Sequence, residues 1–246
     1  MPPSYIVIAV ALVFVGVISA EPAAQPTTVR ANGAVQKVGE APWFCHGLDC
    51  PQYTVEDTEF EKEDEIELRA YEAGVWMSTN VSDVKYEEAT GVGFMRLFRY
   101  ISGANADKAK IAMTAPVRTL LIPGDGPFCE SHFKISFYVP PSAAPPPAAT
   151  DPLVFVDESP PQRFYVASYS GWSAEKSVLD HAFATIGRLE AAGLAFDASV
   201  FYAAGYDSPF RLLNRHNEVW IPAAAAPETD AKAAVVDVAI ESMAGP

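Results

Sequence analysis

Three cysteines and four histidines are the side chains best equipped for nucleophilic or metal chemistry in this 246-residue chain, and their spacing argues against both. Cys45 and Cys50 bracket His46-Gly47-Leu48-Asp49, and Cys129 stands far off, so no second Cys/His pair lies at the spacing a zinc site needs. Ser, His and Asp all occur, but there is no Gly-x-Ser-x-Gly elbow, and beyond the Cys45-His46 neighbours no cysteine sits beside a histidine. The acidic run Glu59–Glu67 could attract cations, although such runs are more commonly a solvated edge or loop. With no constellation of acid, base and nucleophile, the expectation is a protein that is not an enzyme. What the cysteines can do is pair. Gly47 and Asp49 allow the chain to turn back, so a Cys45–Cys50 bridge is the simplest pairing; a bond from either to Cys129 is the rival. Asn80-Val81-Ser82 is an N-glycosylation sequon, meaningful only in a secreted chain.

Compartment follows from the N-terminus. Tyr5–Ile18 is an uninterrupted apolar run, shorter than the roughly 20 residues that span a bilayer comfortably. Ser19-Ala20 then supplies small residues and Glu21-Pro22 ends the apolar character, which predicts a signal peptide over 1–20 cleaved after Ala20. The lack of Lys or Arg before the run leaves an uncleaved anchor as the alternative. Without the leader, the expected product is soluble, secreted and extracellular, with no membrane association. The net charge of −14, from 31 acidic and 17 basic residues, repels phosphate backbones, so nucleic acid and anionic membranes are poor partners. The 21 prolines cluster near the termini and in one internal stretch. Residues 21–40 therefore read as a flexible N-terminal segment, 223–246 as a disordered Ala/Pro-rich tail, and 41–222 as one domain.

Inside that domain two amphipathic helices stand out. One runs over Tyr86–Ile101, with Phe94, Leu97, Phe98 and Ile101 at i, i+3, i+4, i+7 and Gly103 as its stop. The other starts at Ser173 as N-cap and carries Leu179, Ala182, Phe183, Ile186 and Leu189 before Gly193. Strands are predicted over 66–71, 74–81, 117–122, 132–139, 153–157, 164–169, 200–206 and 218–221. In Phe133–Val139 the apolar residues alternate with Lys134, Ser136 and Tyr138, implying one core face and one partly wet face. Pro140–Pro152 reads as a surface loop. A weak echo between 67–76 and 165–172, each leading towards a helix, suggests two related halves sharing one curved sheet.

Four blocks in order, Gly93–Asn105, Lys110–Val117, Ala204–Pro209 and Asn214–Trp220, resemble the SOUL haem-binding protein family, and the likeness covers essentially the whole domain. The resemblance implies an α+β fold: a distorted antiparallel β-barrel flanked by two α-helices, built as a pseudo-twofold repeat. It also implies binding of haem or another tetrapyrrole on an apolar face of the first helix, at Gly91, Phe94, Phe98 and Arg99, with the loop 206–215 opposite. A porphyrin is a flat apolar disc with propionates on one edge. Phe94 and Phe98 would supply floor, Gly91 would let the ring approach, and Arg99 or Arg96 would meet a propionate. The structural alternative makes the phenylalanines core and the arginines mere solvation. Some family members carry a histidine where this chain has Ala70. Of its own histidines only His216 falls beside the expected loop, as a metal ligand or a polar turn residue, while His181 reads as surface. The expected function is thus a secreted buffer or carrier of exchangeable haem with weak or no axial ligation. The alternative is an extracellular interaction or defence module that keeps the fold without haem and has a protein partner.

Overall fold

Along β4 (Ile66–Tyr71) the apolar Ile66 and Leu68 alternate with Glu67 and Arg69, and along β7 (His132–Val139) Phe133, Ile135 and Phe137 alternate with Lys134, Ser136 and Tyr138. A pleated strand sends these two sets to opposite faces. The computed structural model describes residues 28–31, 34–37, 41–56, 66–82, 84–122 and 132–224. The expected signal peptide, Cys129, most of the acidic run and all but the first two residues of the expected tail lie outside the described residues.

The strands are β1 (Thr28–Ala31), β2 (Ala34–Lys37), β3 (Tyr53–Glu56), β4, β5 (Gly74–Ser82), β6 (Val117–Ile122), β7, β8 (Phe155–Ser159), β9 (Gln162–Tyr169), β10 (Phe201–Gly205) and β11 (Asn217–Pro222). Helix α1 (Tyr86–Ile101) lies between β5 and β6, and α2 (Glu175–Ala191) between β9 and β10. Nine strands form one antiparallel sheet in the order β3-β4-β9-β11-β10-β6-β7-β5-β8, curled into a half-barrel. Two ββαββ units are visible, β4-β5-α1-β6-β7 and β8-β9-α2-β10-β11. Their third strands, β6 and β10, pair at the centre, and each unit lends its first strand to the other: β4 pairs with β9, and β8 with β5. Apart from the extra edge strand β3, the sheet order is therefore palindromic about the β6–β10 pair. The true equivalent of 162–169 is 74–82, so the halves are related as expected but in a different register from the echo seen in sequence.

Both helices cover one face. α1 packs on β5 and β7, and α2 on β9 and β11. Gly93 permits the first contact: a Cβ there would lie 2.7 Å from the Ile135 side chain. The cap of α2 comes from across the repeat, because the Glu87 carboxylate of α1 accepts the Glu175 N–H at 2.9 Å. Ser173, expected as N-cap, instead makes hydroxyl contacts with Tyr86 and Tyr169 at 3.4 and 3.1 Å.

The other face is only partly wet. Ser136 and Tyr138 are buried on it, because the sheet curls upon itself and residues 41–53 fold across part of it, while Lys134 is half-buried and Asn80 and His132 are exposed. That covering segment is pinned by the Cys45–Cys50 disulfide, with an S–S distance of 2.05 Å. The sequence reading omitted the strand β3. Residues 28–31 and 34–37, within the segment expected to be flexible, pair as the antiparallel strands β1 and β2. The Pro140–Pro152 stretch is the expected loop between strands, and it is tied down: Tyr100 Oη donates to the Pro147 carbonyl at 2.6 Å and Ala106 N–H to Ala148 at 2.9 Å.

Candidate ligand-binding site

α1 buries Tyr86, Ala89, Gly93, Leu97, Tyr100 and Ile101 against the sheet, which leaves an apolar stripe on its outer side. Gly91, Phe94, Met95 and Phe98 fall at i, i+3, i+4 and i+7, so they share that side. Met95 is 46% exposed, Phe98 42% and the neighbouring Val92 42%. Phe94 is half-buried and joins core to surface: its ring stacks on Phe98 with centroids 5.8 Å apart and meets Phe137 edge-on at 5.4 Å. A Cβ at Gly91 would meet nothing within 4 Å, so the helix backbone is open there. The structure thus brings Gly91, Phe94 and Phe98 together. It adds Met95 and Val92, which the sequence reading missed although Met95 stands one helical turn from Gly91.

The two arginines separate. Arg96 is occupied, donating to Thr79 Oγ1 at 2.6 Å and to the Asn80 carbonyl at 3.3 Å. Arg99 is exposed and, among the described residues, its guanidinium makes no hydrogen bond or ion pair. It stands at the end of the stripe as an available cation.

The loop after β10 is well built at its base and apolar at its tip. Arg215 Nη1 donates to the Ser208 and Arg211 carbonyls at 2.8 and 2.7 Å, and Arg215 Nε to Gly171 at 3.2 Å. Its guanidinium lies 4.4 Å from the Trp172 ring centroid. The tip projects Phe210, Leu212 and Leu213, which are 91, 73 and 78% exposed. Ser173, adjoining this base, reaches Tyr86 at the start of α1, so the loop and α1 are linked through residues 171–173.

His216 is not on this surface. It is 3% exposed, its ring stacks on Phe44 at 4.0 Å and 7°, and its Nε2 is 2.8 Å from Glu218 Oε1. Its Nε2 is engaged by Glu218 and its ring is buried against Phe44, so the structure gives His216 a packing and hydrogen-bonding role on the helix-free face. Glu218 is the centre of that network. Arg69 Nη1, Tyr206 Oη and Trp220 Nε1 also donate to it, at 3.0, 2.7 and 2.7 Å. Burial alone would raise its pKa, but Arg69 and the hydrogen bonds from His216 and Tyr206 outweigh that and hold it down to about 2. His181 is half-buried under Tyr169, stacked at 4.2 Å, rather than a free surface residue. Asn80 of the sequon is exposed on β5. Among the described residues no group of three or more His, Cys, Asp and Glu could hold a metal ion. No helix among them is long and apolar enough to cross a membrane.

Comparison with known proteins gives this geometry a context. The family profile described as "SOUL heme-binding protein" matches residues 48–222. The chain is 38% identical over 156 residues to heme-binding protein 2 of Homo sapiens, covering 63% of this chain and 76% of that protein. It is 35% identical over 175 residues to heme-binding protein 2 of Mus musculus, covering 71% and 85% respectively. Among solved structures, one of the EcmrR–DNA complex aligns with TM-score 0.51 at 10% identity, over 64% of this chain and 56% of that one, a likeness of fold alone.

Proposed function

The chain belongs to the SOUL heme-binding protein family, and from that premise we propose that it binds haem or a related tetrapyrrole on the outer face of α1. The observation that carries this reading is the exposed stripe of Gly91, Phe94, Met95 and Phe98 ending at Arg99. A porphyrin laid on the stripe covers apolar side chains with its face. Arg99 can meet a propionate with paired N–H donors, which point-charge contact would orient less well. The apolar tip Phe210–Leu213 offers a second wall.

Covering about 200 Å² of apolar surface contributes roughly 5 kcal/mol before the cost of association. With His216 enclosed, the stripe supplies no imidazole, so binding rests on apolar contact and one cation, and the ligand exchanges. That suits a buffer or carrier rather than a catalyst. The apolar run 5–18 followed by Ser19-Ala20, the Cys45–Cys50 disulfide and the exposed Asn80 sequon support a secreted, extracellular site of action.

Titrating haemin into the mature protein tests the reading. The expected result is a saturable Soret shift near one equivalent, weakened when Gly91→Trp fills the open floor. An unsaturable shift, or one indifferent to that substitution, overturns it. The strongly exposed loop tip favours a second reading, an extracellular protein-interaction module, which requires a partner that stays bound after haem is removed.

A further inference from the structure

On the helix-free face, away from the α1 stripe, Arg118 of β6 lines a cavity of about 70 Å³ walled by Tyr71, Trp76, Tyr138, Phe164 and Trp220. Arg118 is 3% exposed, and its surroundings differ from those of an ordinary buried cation. No carboxylate among the described residues lies within ion-pair distance of it; Asp157, whose charge acts on it from farther off, is paired with Lys134 Nζ at 2.7 Å. Its guanidinium lies over Trp76 at 3.8 Å and near Tyr202 at 4.8 Å, and Nη2 donates to Ser159 Oγ at 3.3 Å. Its Nε is buried and has no hydrogen-bond partner. A buried donor left without an acceptor is costly, and for a charged group more so. The buried cation, without a carboxylate partner, therefore calls for negative charge in the cavity beside it.

We propose that this cavity is a binding site for a small organic monocarboxylate with an apolar body, whose head accepts hydrogen bonds from Arg118 and whose tail lies along the aromatic walls. One cation without a second basic residue matches a single negative charge. The five aromatic walls disfavour a fully hydrated inorganic anion and favour a carbon skeleton. The cavity opens beside Gly74, Ser159 and Pro160 onto a wider trough lined by Val75, Val139 and Ala144, which gives a short aliphatic tail a way out. Glu72 at the rim makes the mouth unsuited to a second carboxylate. Burial presses down the pKa of Arg118, so a bound anion would also relieve that penalty.

The test follows arginine Nε–H resonances by NMR while hexanoate is added to the folded, haem-free protein. The expected result is a saturable downfield movement of one buried Nε–H signal, absent with hexylamine, which has the same tail and the opposite charge. Arg118→Lys should remove that signal and the response. Gly74→Leu, which keeps Arg118 but fills the mouth, should abolish the response alone and keeps the test valid if the lysine variant does not fold. No saturable movement up to about 10 mM hexanoate, where even millimolar binding would saturate, overturns the proposal. So does an equal response to hexylamine, or a response that survives Gly74→Leu. Because no haem is present, failure here leaves the α1 reading untouched.

Discussion

Arg69 and Arg118 lie on the same face of the sheet, 1 and 3% exposed, and are kept charged in opposite ways. Burial opposes the charge of both. At Arg69, Glu218 at 3.0 Å and Glu67 at 2.7 Å, with the Tyr71 hydroxyl at 3.2 Å, overcome it and push the pKa well above the ordinary range. At Arg118 aromatic faces and one serine are the compensation, and the pKa falls. The difference separates a charge spent on structure from one left free to bind. The Arg69 cluster clamps β4 to β11, strands from different repeat units, and its acceptors are all engaged within the protein. Arg118 sits at the central β6–β10 pair with a donor unspent.

The sharpest way to break this comparison is to remove Arg69. Arg69→Met leaves Glu218 buried opposite an apolar side chain, and the expected loss in chemical denaturation is about 3–5 kcal/mol. Adding Glu218→Gln to that variant should cost far less than Glu218→Gln costs alone, since the two side chains act as one unit. A loss below about 1 kcal/mol for Arg69→Met would place the cluster with ordinary surface pairs. Acid is a gentler probe of the same charge. Glu218 is held at about 2 against a usual 4.5, so its stabilisation is complete above about pH 4.5 and is lost as pH falls towards 2. Its expected size is on the order of 3 kcal/mol, read as the drop in unfolding free energy across that window and absent in Glu218→Gln. Arg118→Met should then change stability by no more than about 1 kcal/mol, because lost cation–π contact is offset by the relieved burial of a charge. A loss as large as that of Arg69→Met would mean Arg118 is structural after all.

The fold was largely legible in sequence because its strands alternate and its helices are amphipathic; β4, β6 and β7 carry their predicted bounds, and α1 begins and ends at the expected residues. β3 escaped because four residues hold too little pattern, and the register of the repeat was hidden by the exchange of first strands. The polar face was illegible for a physical reason. Glu67, Arg69 and Glu218 stand at the alternate positions that normally face water, and their burial depends on a curl that joins residues 149 apart in sequence. On α1 the site residues were within reach of the family likeness, while Met95 required only the helical spacing from Gly91. His216 misled because a polar block beside a loop looks like a ligand set until Phe44 and Glu218 are seen to enclose it.

Arg99 completes the comparison as a third arginine, exposed and without the burial penalty of the other two. It stands in the last turn of α1, where a cation favours the negative end of the helix, so its loss should cost no more than about 1 kcal/mol of stability. Arg99→Glu nevertheless reverses a charge where the proposed propionate contact lies, on a protein already carrying −14. The haemin affinity should fall about tenfold, equivalent to about 1.4 kcal/mol, and the fall should shrink at high salt because the contact is open to screening. An unchanged affinity would remove Arg99 from the site and leave apolar contact to hold the ring. A large loss of stability would show that the residue supports the helix. The three arginines would then report in order of burial: on folding at Arg69, on a carboxylate at Arg118 and on haem at Arg99.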